Sequence, residues 1–247
     1  MIRSFLIRGL LAGLAGGLLA FVFARFFGEA PVDSAIAFES QAAAAAGEMA
    51  EPELVSRAVQ ASLGLFVGVV LYSTALGGLF ALSFAFAWGR VGRLGPRPTA
   101  ALIGMAGFLS VILVPFLKFP ANPPSIGLPE TIQYRTELYI GMIVISIIAL
   151  VAAINLARSL FGRLDPWYAV GIAALLYLAI VTLARFVLPD INEVPQAFPA
   201  TLLWQFRIAS LGTQLVLWTT TALVFGELAE RSLSSRRGLS TPLRKPL

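Results

Sequence analysis

Long apolar stretches alternate with short polar segments along the chain. Six of these stretches have about the 20 predominantly apolar residues that an α-helix needs to cross the hydrocarbon core of a bilayer. They are residues 5–27, 59–88, 100–119, 138–156, 167–188 and 203–225. The pattern predicts an all-α, polytopic membrane bundle of six transmembrane helices. A cleavable signal peptide is the less favoured interpretation of the first stretch, because its apolar run is too long.

Composition supports a bilayer as the solvent of this fold. Hydrophobic residues make up 58% of the 247 residues and charged residues 13%, whereas soluble domains carry about 25% charged residues. We expect a six-span membrane domain over residues 1–230. Residues 231–247 are rich in Ser and Arg and are expected to form a disordered basic cytoplasmic tail.

Charged residues are distributed unevenly between alternate loops. The N-terminus, the second and fourth loops and the C-terminal tail together hold 12 basic and three acidic residues, and the other segments hold six and ten. The positive-inside rule therefore predicts that both termini are cytoplasmic in a multi-pass protein of the cell (plasma) membrane. The same rule explains the net charge of +5 without nucleic acid as a partner.

Three similar hairpins follow one another in the sequence. Each odd-numbered span ends externally on a basic residue, and each even-numbered span is preceded by Pro52, Pro129 or Pro199 and begins near a second basic residue. This external basic ring consists of Arg25, Arg57, Lys118, Arg135, Arg185 and Arg207. We predict three helical hairpins, each with an external loop bracketed by two basic side chains.

Two interpretations of the basic ring stay open. The side chains either extend to lipid headgroups or turn inward and line a mouth that faces external acids. The acids considered are Glu39, Glu137, Asp190 and Glu193.

Small residues predict where helices approach closely in the membrane. Gly9, Gly13 and Gly17 recur at four-residue spacing in the first span. The second span has Gly64 and Gly68 at the same spacing, followed by the pair Gly77-Gly78. An Ala-rich external segment after the first span predicts a short surface helix.

Residues that several kinds of catalytic site require are absent from the sequence. The sequence has no histidine and no cysteine, which excludes Ser–His and zinc-protease catalysis. A phosphate-binding G-x-x-x-x-G-K-[ST] motif is also missing, so no ATPase domain is expected in this chain. The glycine- and arginine-bearing residues 90–97 are interpreted as a cytoplasmic turn. We therefore predict a protein that is not an enzyme and has no resident cofactor.

Several segments of the chain carry specific motifs. They are residues 115–124 (Pro-Phe-Leu-Lys-Phe-Pro-Ala-Asn-Pro-Pro), 134–139 (Tyr-Arg-Thr-Glu-Leu-Tyr), 192–195 (Asn-Glu-Val-Pro), 206–214 (Phe-Arg-Ile-Ala-Ser-Leu-Gly-Thr-Gln) and 8–13 (Arg-Gly-Leu-Leu-Ala-Gly). With these motifs the chain resembles the CbtA family over residues 3–230. This family consists of small polytopic bacterial proteins assigned as cobalt transporter subunits.

The resemblance implies a permease subunit for cobalt, and a small single-span partner, CbtB, with a histidine-rich metal motif. Cobalt(II) prefers imidazole or thiolate ligands, and this chain has neither. A metal site made by this chain alone must use oxygen donors. The available donors are Glu39, Asn122, Glu137, Asp190, Asn192 and Glu193.

Three hypotheses follow. The first is a transport component for cobalt or another divalent cation that acts with a histidine-bearing membrane partner. The second is a non-transporting membrane scaffold or assembly protein, favoured by the lack of metal ligands. The third is the handling of anions or lipid headgroups by the external basic residues.

Overall fold

The computed structural model describes residues 2–47, 54–90, 92 and 94–239, with side chains up to residue 234. All regular elements within these ranges are helical. The α-helices are α1 (Ile2–Phe23), α2 (Glu29–Ala46), α3 (Arg57–Val59), α4 (Leu65–Ala87), α5 (Pro96–Gly107), α6 (Val114–Lys118), α7 (Ile132–Leu160), α8 (Pro166–Val187) and α9 (Ala200–Leu239). Three π-helical segments (Ala24–Gly28, Gln60–Gly64 and Phe108–Leu113) and one 3-10 turn (Pro129–Thr131) join or extend them.

Six helical stretches are long and apolar enough to cross a membrane, which confirms the predicted number of spans. They are Ile2–Ala46, Arg57–Ala87, Pro96–Lys118, Pro129–Leu160, Pro166–Val187 and Ala200–Ser234. Each of them contains the corresponding predicted stretch, apart from one residue at the end of the second, third and fifth spans.

Two spans contain a proline inside their helical length, and each proline follows a π-helical segment. Pro31 lies just after Ala24–Gly28, and Pro115 lies just after Phe108–Leu113. Proline removes one backbone hydrogen bond and its ring clashes with the preceding turn, and we attribute the wider π turns to this clash. As a result the predicted surface helix exists as α2, but it continues directly from the first span.

The last helix also differs from the sequence-based expectation. It continues to Leu239, whereas disorder was predicted from residue 231. Arg231 donates a hydrogen bond to Glu227, one turn earlier, at 2.6 Å, and such i,i+4 pairs extend a helix into water. Residues 240–247 lie outside the described residues, as do Pro52, Arg93 and the acids at positions 48, 51 and 53.

The chain divides into two compact units. Unit 1 contains Met1–Phe26, Glu53–Met105 and Gly212–Leu247, and unit 2 contains Phe27–Pro52 and Ala106–Leu211.

Unit 1 is organised by the close packing of α1 against α4. A Cβ atom added to Gly77 would lie 2.1 Å from the carbonyl oxygen of Gly9 and 2.7 Å from the Cα of Gly13. The helix backbones are therefore in direct contact, as predicted for the first span. Gly68 does not share this role, because no described atom lies within 4 Å of its Cβ position.

Unit 2 is built on α7 and α8. Apolar side chains of both helices form its buried core, which includes Met142 and Val181. Ser146 and Tyr177 share a hydrogen bond of 2.8 Å in this core, so both hydroxyl groups are satisfied away from water. A second, smaller core joins α2 to the loops: Phe198 stacks edge-on against Phe38 at 5.0 Å and is buried with Ala35 and Ile126.

Candidate functional site

Two loops of unit 2 carry most of the predicted polar site. They are residues 119–128, between α6 and the 3-10 turn, and residues 188–199, between α8 and α9. They are joined directly, because the backbone N–H of Leu128 donates to the Glu193 carboxylate at 2.9 Å. We call these two loops and the basic side chains that contact them the loop cluster.

Glu193 lies at the centre of the loop cluster. Only 12% of its side chain is exposed, and Arg135 Nε lies 3.6 Å from its Oε2 atom. The Thr131 hydroxyl, the Leu128 N–H and the Arg135 charge hold the pKa of Glu193 below its ordinary range.

Lys118 and Asp190 form the second ion pair of the loop cluster, with Nζ and Oδ1 2.5 Å apart. The two partners differ sharply in exposure, since 2% of the Lys118 side chain and 91% of the Asp190 side chain are accessible. The hydrogen bond and charge of Lys118, with a smaller contribution from Arg185, lower the pKa of Asp190. The Asp190 carboxylate thus compensates the charge of the buried Lys118 ammonium group.

The two remaining members of the predicted basic ring in unit 2 bond to backbone carbonyl groups. Arg185 donates to the carbonyl oxygen of Leu117 at 2.5 Å. Arg207 donates to the carbonyl oxygen of Ala121 at 3.3 Å and to the side-chain oxygen of Asn122 at 3.0 Å. In unit 2, therefore, Lys118, Arg135 and Arg207 bond to the loops, whereas Arg185 bonds to the end of α6.

Some of the predicted oxygen donors contact basic side chains of the predicted ring, and others do not. Asn122, Asp190 and Glu193 each contact a basic residue of the loop cluster. Glu137 instead accepts a hydrogen bond from Gln133 on the same helix, and Glu39 is exposed on α2. The side-chain oxygen of Asn192 accepts from the backbone of Val194 at 3.3 Å. Arg25 and Arg57 belong to unit 1.

Metal binding by the six oxygen donors stays a prediction. Within the described residues, no three His, Cys, Asp or Glu side chains come together where they could hold a metal ion. The two central carboxylates are occupied by Lys118 and Arg135. A cation that binds there must displace a basic side chain.

The sequence did not predict the backbone conformation of the loop cluster. Ser125 and Gly127 have φ values of 70° and 116°, and the Pro123 ring of the same loop is fully buried. The proline-rich motif at residues 120–124 signalled an ordered loop, but no local pattern specified these dihedral angles.

Gly127 makes room for the Arg135 guanidinium. A Cβ atom at Gly127 would lie 2.3 Å from Arg135 Nη1, and its φ is unfavourable for any other residue. We expect Gly127→Ala to push Arg135 away from Glu193 and to loosen both loops. Hydrogen–deuterium exchange of residues 119–131 and 188–199 should then rise several-fold.

Gly141→Ala is the matched control for this change. Gly141 lies within α7 and has no described atom within 4 Å of its Cβ position. Equal loop exchange in both variants would show that Arg135 does not hold the loops together.

Comparison with known proteins adds one match. The family model described as "Probable cobalt transporter subunit (CbtA)" matches residues 2–230. No curated protein and no solved structure matches the chain. The family description is that of a transporter subunit rather than of an enzyme, and it agrees with the six apolar helices of a multi-pass membrane protein. The chain therefore belongs to the CbtA family.

Proposed function

We propose that this chain is the permease subunit of a transporter for cobalt(II) or a related divalent cation, and that it works with a second membrane protein. The observation that carries the proposal is the family match over residues 2–230. The family description names a subunit, and a subunit belongs to a larger assembly. The predicted orientation, with both termini cytoplasmic, places the loop cluster on the external side.

The loop cluster is suited to transient contact with a cation. Asp190 and Glu193 provide carboxylate oxygens, and Asn122 provides a carbonyl oxygen. Lys118, Arg135 and Arg207 compete for the same atoms, so the loops hold a cation only weakly. Weak and exchangeable binding favours transport, because an ion that enters must also leave.

A partner is required by the ligand chemistry of cobalt. Cobalt(II) binds most strongly to imidazole and thiolate groups, and the full sequence has no histidine and no cysteine. We propose that a small histidine-bearing membrane protein supplies the nitrogen ligands and passes the ion to this chain.

Cobalt accumulation under limiting supply tests the proposal. We expect deletion of the gene to lower cellular cobalt several-fold, and the wild-type gene to restore it. Glu193→Gln should restore much less at equal protein abundance, because it removes a central carboxylate. Glu130→Gln is the matched control, since Glu130 is exposed on the 3-10 turn beside the loop cluster. Unchanged cobalt in the deletion strain would reject cobalt as the cargo.

The two alternative functions predict different results. A scaffold would tolerate Glu193→Gln and leave cobalt levels unchanged. An anion or headgroup site would be lost with Arg135→Gln and Arg207→Gln. Against that second alternative, both guanidinium groups are already bonded to loop acceptors.

A further inference from the structure

Three polar side chains lie on one face of α9 in unit 1. Gln214, Trp218 and Thr221 are separated by four and three residues, which places them on the same side of a helix. Only 6% of Trp218 and 1% of Thr221 is exposed. Across the described part of the chain, Gln214 Oε1, Trp218 Nε1 and Thr221 Oγ1 find no hydrogen-bond partner.

Buried polar atoms without partners are costly, and most of all in hydrocarbon. Other buried hydroxyl groups of the spanning helices are satisfied: Ser73 donates to the Val69 carbonyl at 2.5 Å, and Ser146 pairs with Tyr177. Within the described residues, the other buried side-chain atoms without a hydrogen-bond partner are Ser125 Oγ and Arg135 Nε, which belong to unit 2. Polar groups kept at such a position usually serve a substrate pathway.

The mixture of donors and acceptors indicates what these atoms bind. The indole N–H of Trp218 can only donate, whereas the Gln214 carbonyl oxygen can only accept. Water satisfies both, and a bare cation satisfies only the acceptors. The polar face thus fits a hydrated ion better than a dehydrated one.

An aromatic cluster closes this face at one end. Phe225 follows Thr221 by one helical turn and is surrounded by Phe5, Phe80 and Phe84. The ring centroids of Phe84, Phe80 and Phe5 lie 4.9, 5.3 and 6.4 Å from that of Phe225. Each of the four side chains is 3% exposed or less.

A cavity with both polar and apolar lining residues follows on the other side of the aromatic cluster. Trp88, which stacks on Phe84 at 5.4 Å, lines it together with Leu94, Glu230 and Ser234. The cavity has a volume of about 400 Å³. Six water molecules around an ion occupy roughly 180 Å³ at the liquid volume of about 30 Å³ each, so a hydrated divalent cation fits beside the Glu230 carboxylate.

We propose that unit 1 contains a route for a hydrated divalent cation, and that Phe5, Phe80, Phe84 and Phe225 close it as a hydrophobic gate. Such a constriction stops ions because water does not enter it. The polar face of α9 and the cavity at Glu230 are the wet segments on its two sides. The route rests on the proposed transport of a cation but not on the loop cluster.

The absence of cysteine from the sequence allows a direct test, since a single introduced thiol is the only reactive one. Thr221→Cys reports the polar face, and Ser234→Cys identifies the membrane side from which the cavity is reached. A membrane-impermeant methanethiosulfonate reagent is added from that side to vesicles that contain the full chain. We expect slow labelling of Thr221→Cys and at least tenfold faster labelling when Phe225→Ala is added.

Leu223→Cys is the matched control, because Leu223 lies on the same helix with 64% of its surface exposed, where lipid is expected. Its labelling should be unaffected by Phe225→Ala. Equal labelling of Thr221→Cys with and without Phe225→Ala would overturn the gate. A parallel rise at Leu223→Cys would also overturn it, because that result indicates general loosening. If Phe225→Ala lowers protein abundance, Phe225→Leu serves as the smaller change with the same two criteria.

The labelling result is independent of the cargo. Labelling that depends on Phe225 supports the route even if cobalt uptake is unchanged in the deletion strain, a result that rejects cobalt alone. If cobalt uptake is normal but Thr221→Cys is not labelled, with or without a substitution at Phe225, the route is rejected. The proposed transport function then stays in place.

Discussion

Gly77→Leu is expected to remove nearly all folded protein from the membrane, and Gly77→Ala to lower its Tm markedly. The cause is the contact between α1 and α4, where a Cβ atom at Gly77 would overlap the backbone of Gly9 and Gly13. Backbone atoms cannot rotate away as side chains do, so the two helices must separate. Overpacking of this kind costs about 1–3 kcal/mol and occasionally more, and loss of the interhelical contact adds to that cost.

Gly68 is the matched control for this prediction. It lies in the same helix, two and a half turns away, with no described atom near its Cβ position. Protein abundance in membranes and the Tm of purified protein in detergent should be near wild type for Gly68→Ala. Similar losses at Gly68 and Gly77 would contradict a specific α1–α4 contact.

These two glycines also illustrate what the sequence does and does not specify. Both belong to spans with small residues at helical spacing, so both were predicted to pack closely. Which glycine meets another helix depends on the rotation of α4 about its axis. That rotation is set by contacts distant in the sequence, including those that Phe80 and Phe84 make with Phe5 and Phe225.

The spans themselves were predictable for a simple physical reason. A helix in lipid needs a minimum apolar length, and that length is a local property of the sequence. The continuation of the first span into α2 was not predicted, because a proline inside a helix normally reads as a boundary. At Pro31 the preceding π-helical segment accommodates the ring and the helix continues.

The candidate site was predicted in its composition but not in its pairing. The sequence predicts that acids and basic residues of these loops lie on the same side of the membrane. It does not indicate that Lys118 selects Asp190 and Arg135 selects Glu193. Those choices depend on loop dihedral angles at Ser125 and Gly127, which no periodic pattern encodes.

The second large effect is expected at the ion pair between Lys118 and Asp190, where the two partners should respond unequally to substitution. Asp190→Ala leaves the buried Lys118 ammonium without its carboxylate partner, beside the Phe119 ring at 5.7 Å. Lys118→Met keeps the apolar stem and leaves Asp190 in water. Removing one partner of a buried pair is costly because the other charge stays buried, and here only Lys118 is buried. We expect the fall in Tm for Asp190→Ala to be at least twice that for Lys118→Met.

The double variant Lys118→Met/Asp190→Ala should return to the Tm of Lys118→Met, because no buried charge remains.

The pKa of Asp190 is lowered in the folded protein, so its contribution to stability is fully present above the ordinary carboxyl pKa. It is lost as the pH falls through the lowered folded value. The difference in Tm between wild type and Asp190→Ala should therefore be constant near neutral pH and disappear in acid. Equal losses for Asp190→Ala and Lys118→Met, or a difference that persists in acid, would show that burial of the Lys118 charge does not govern this end of α6.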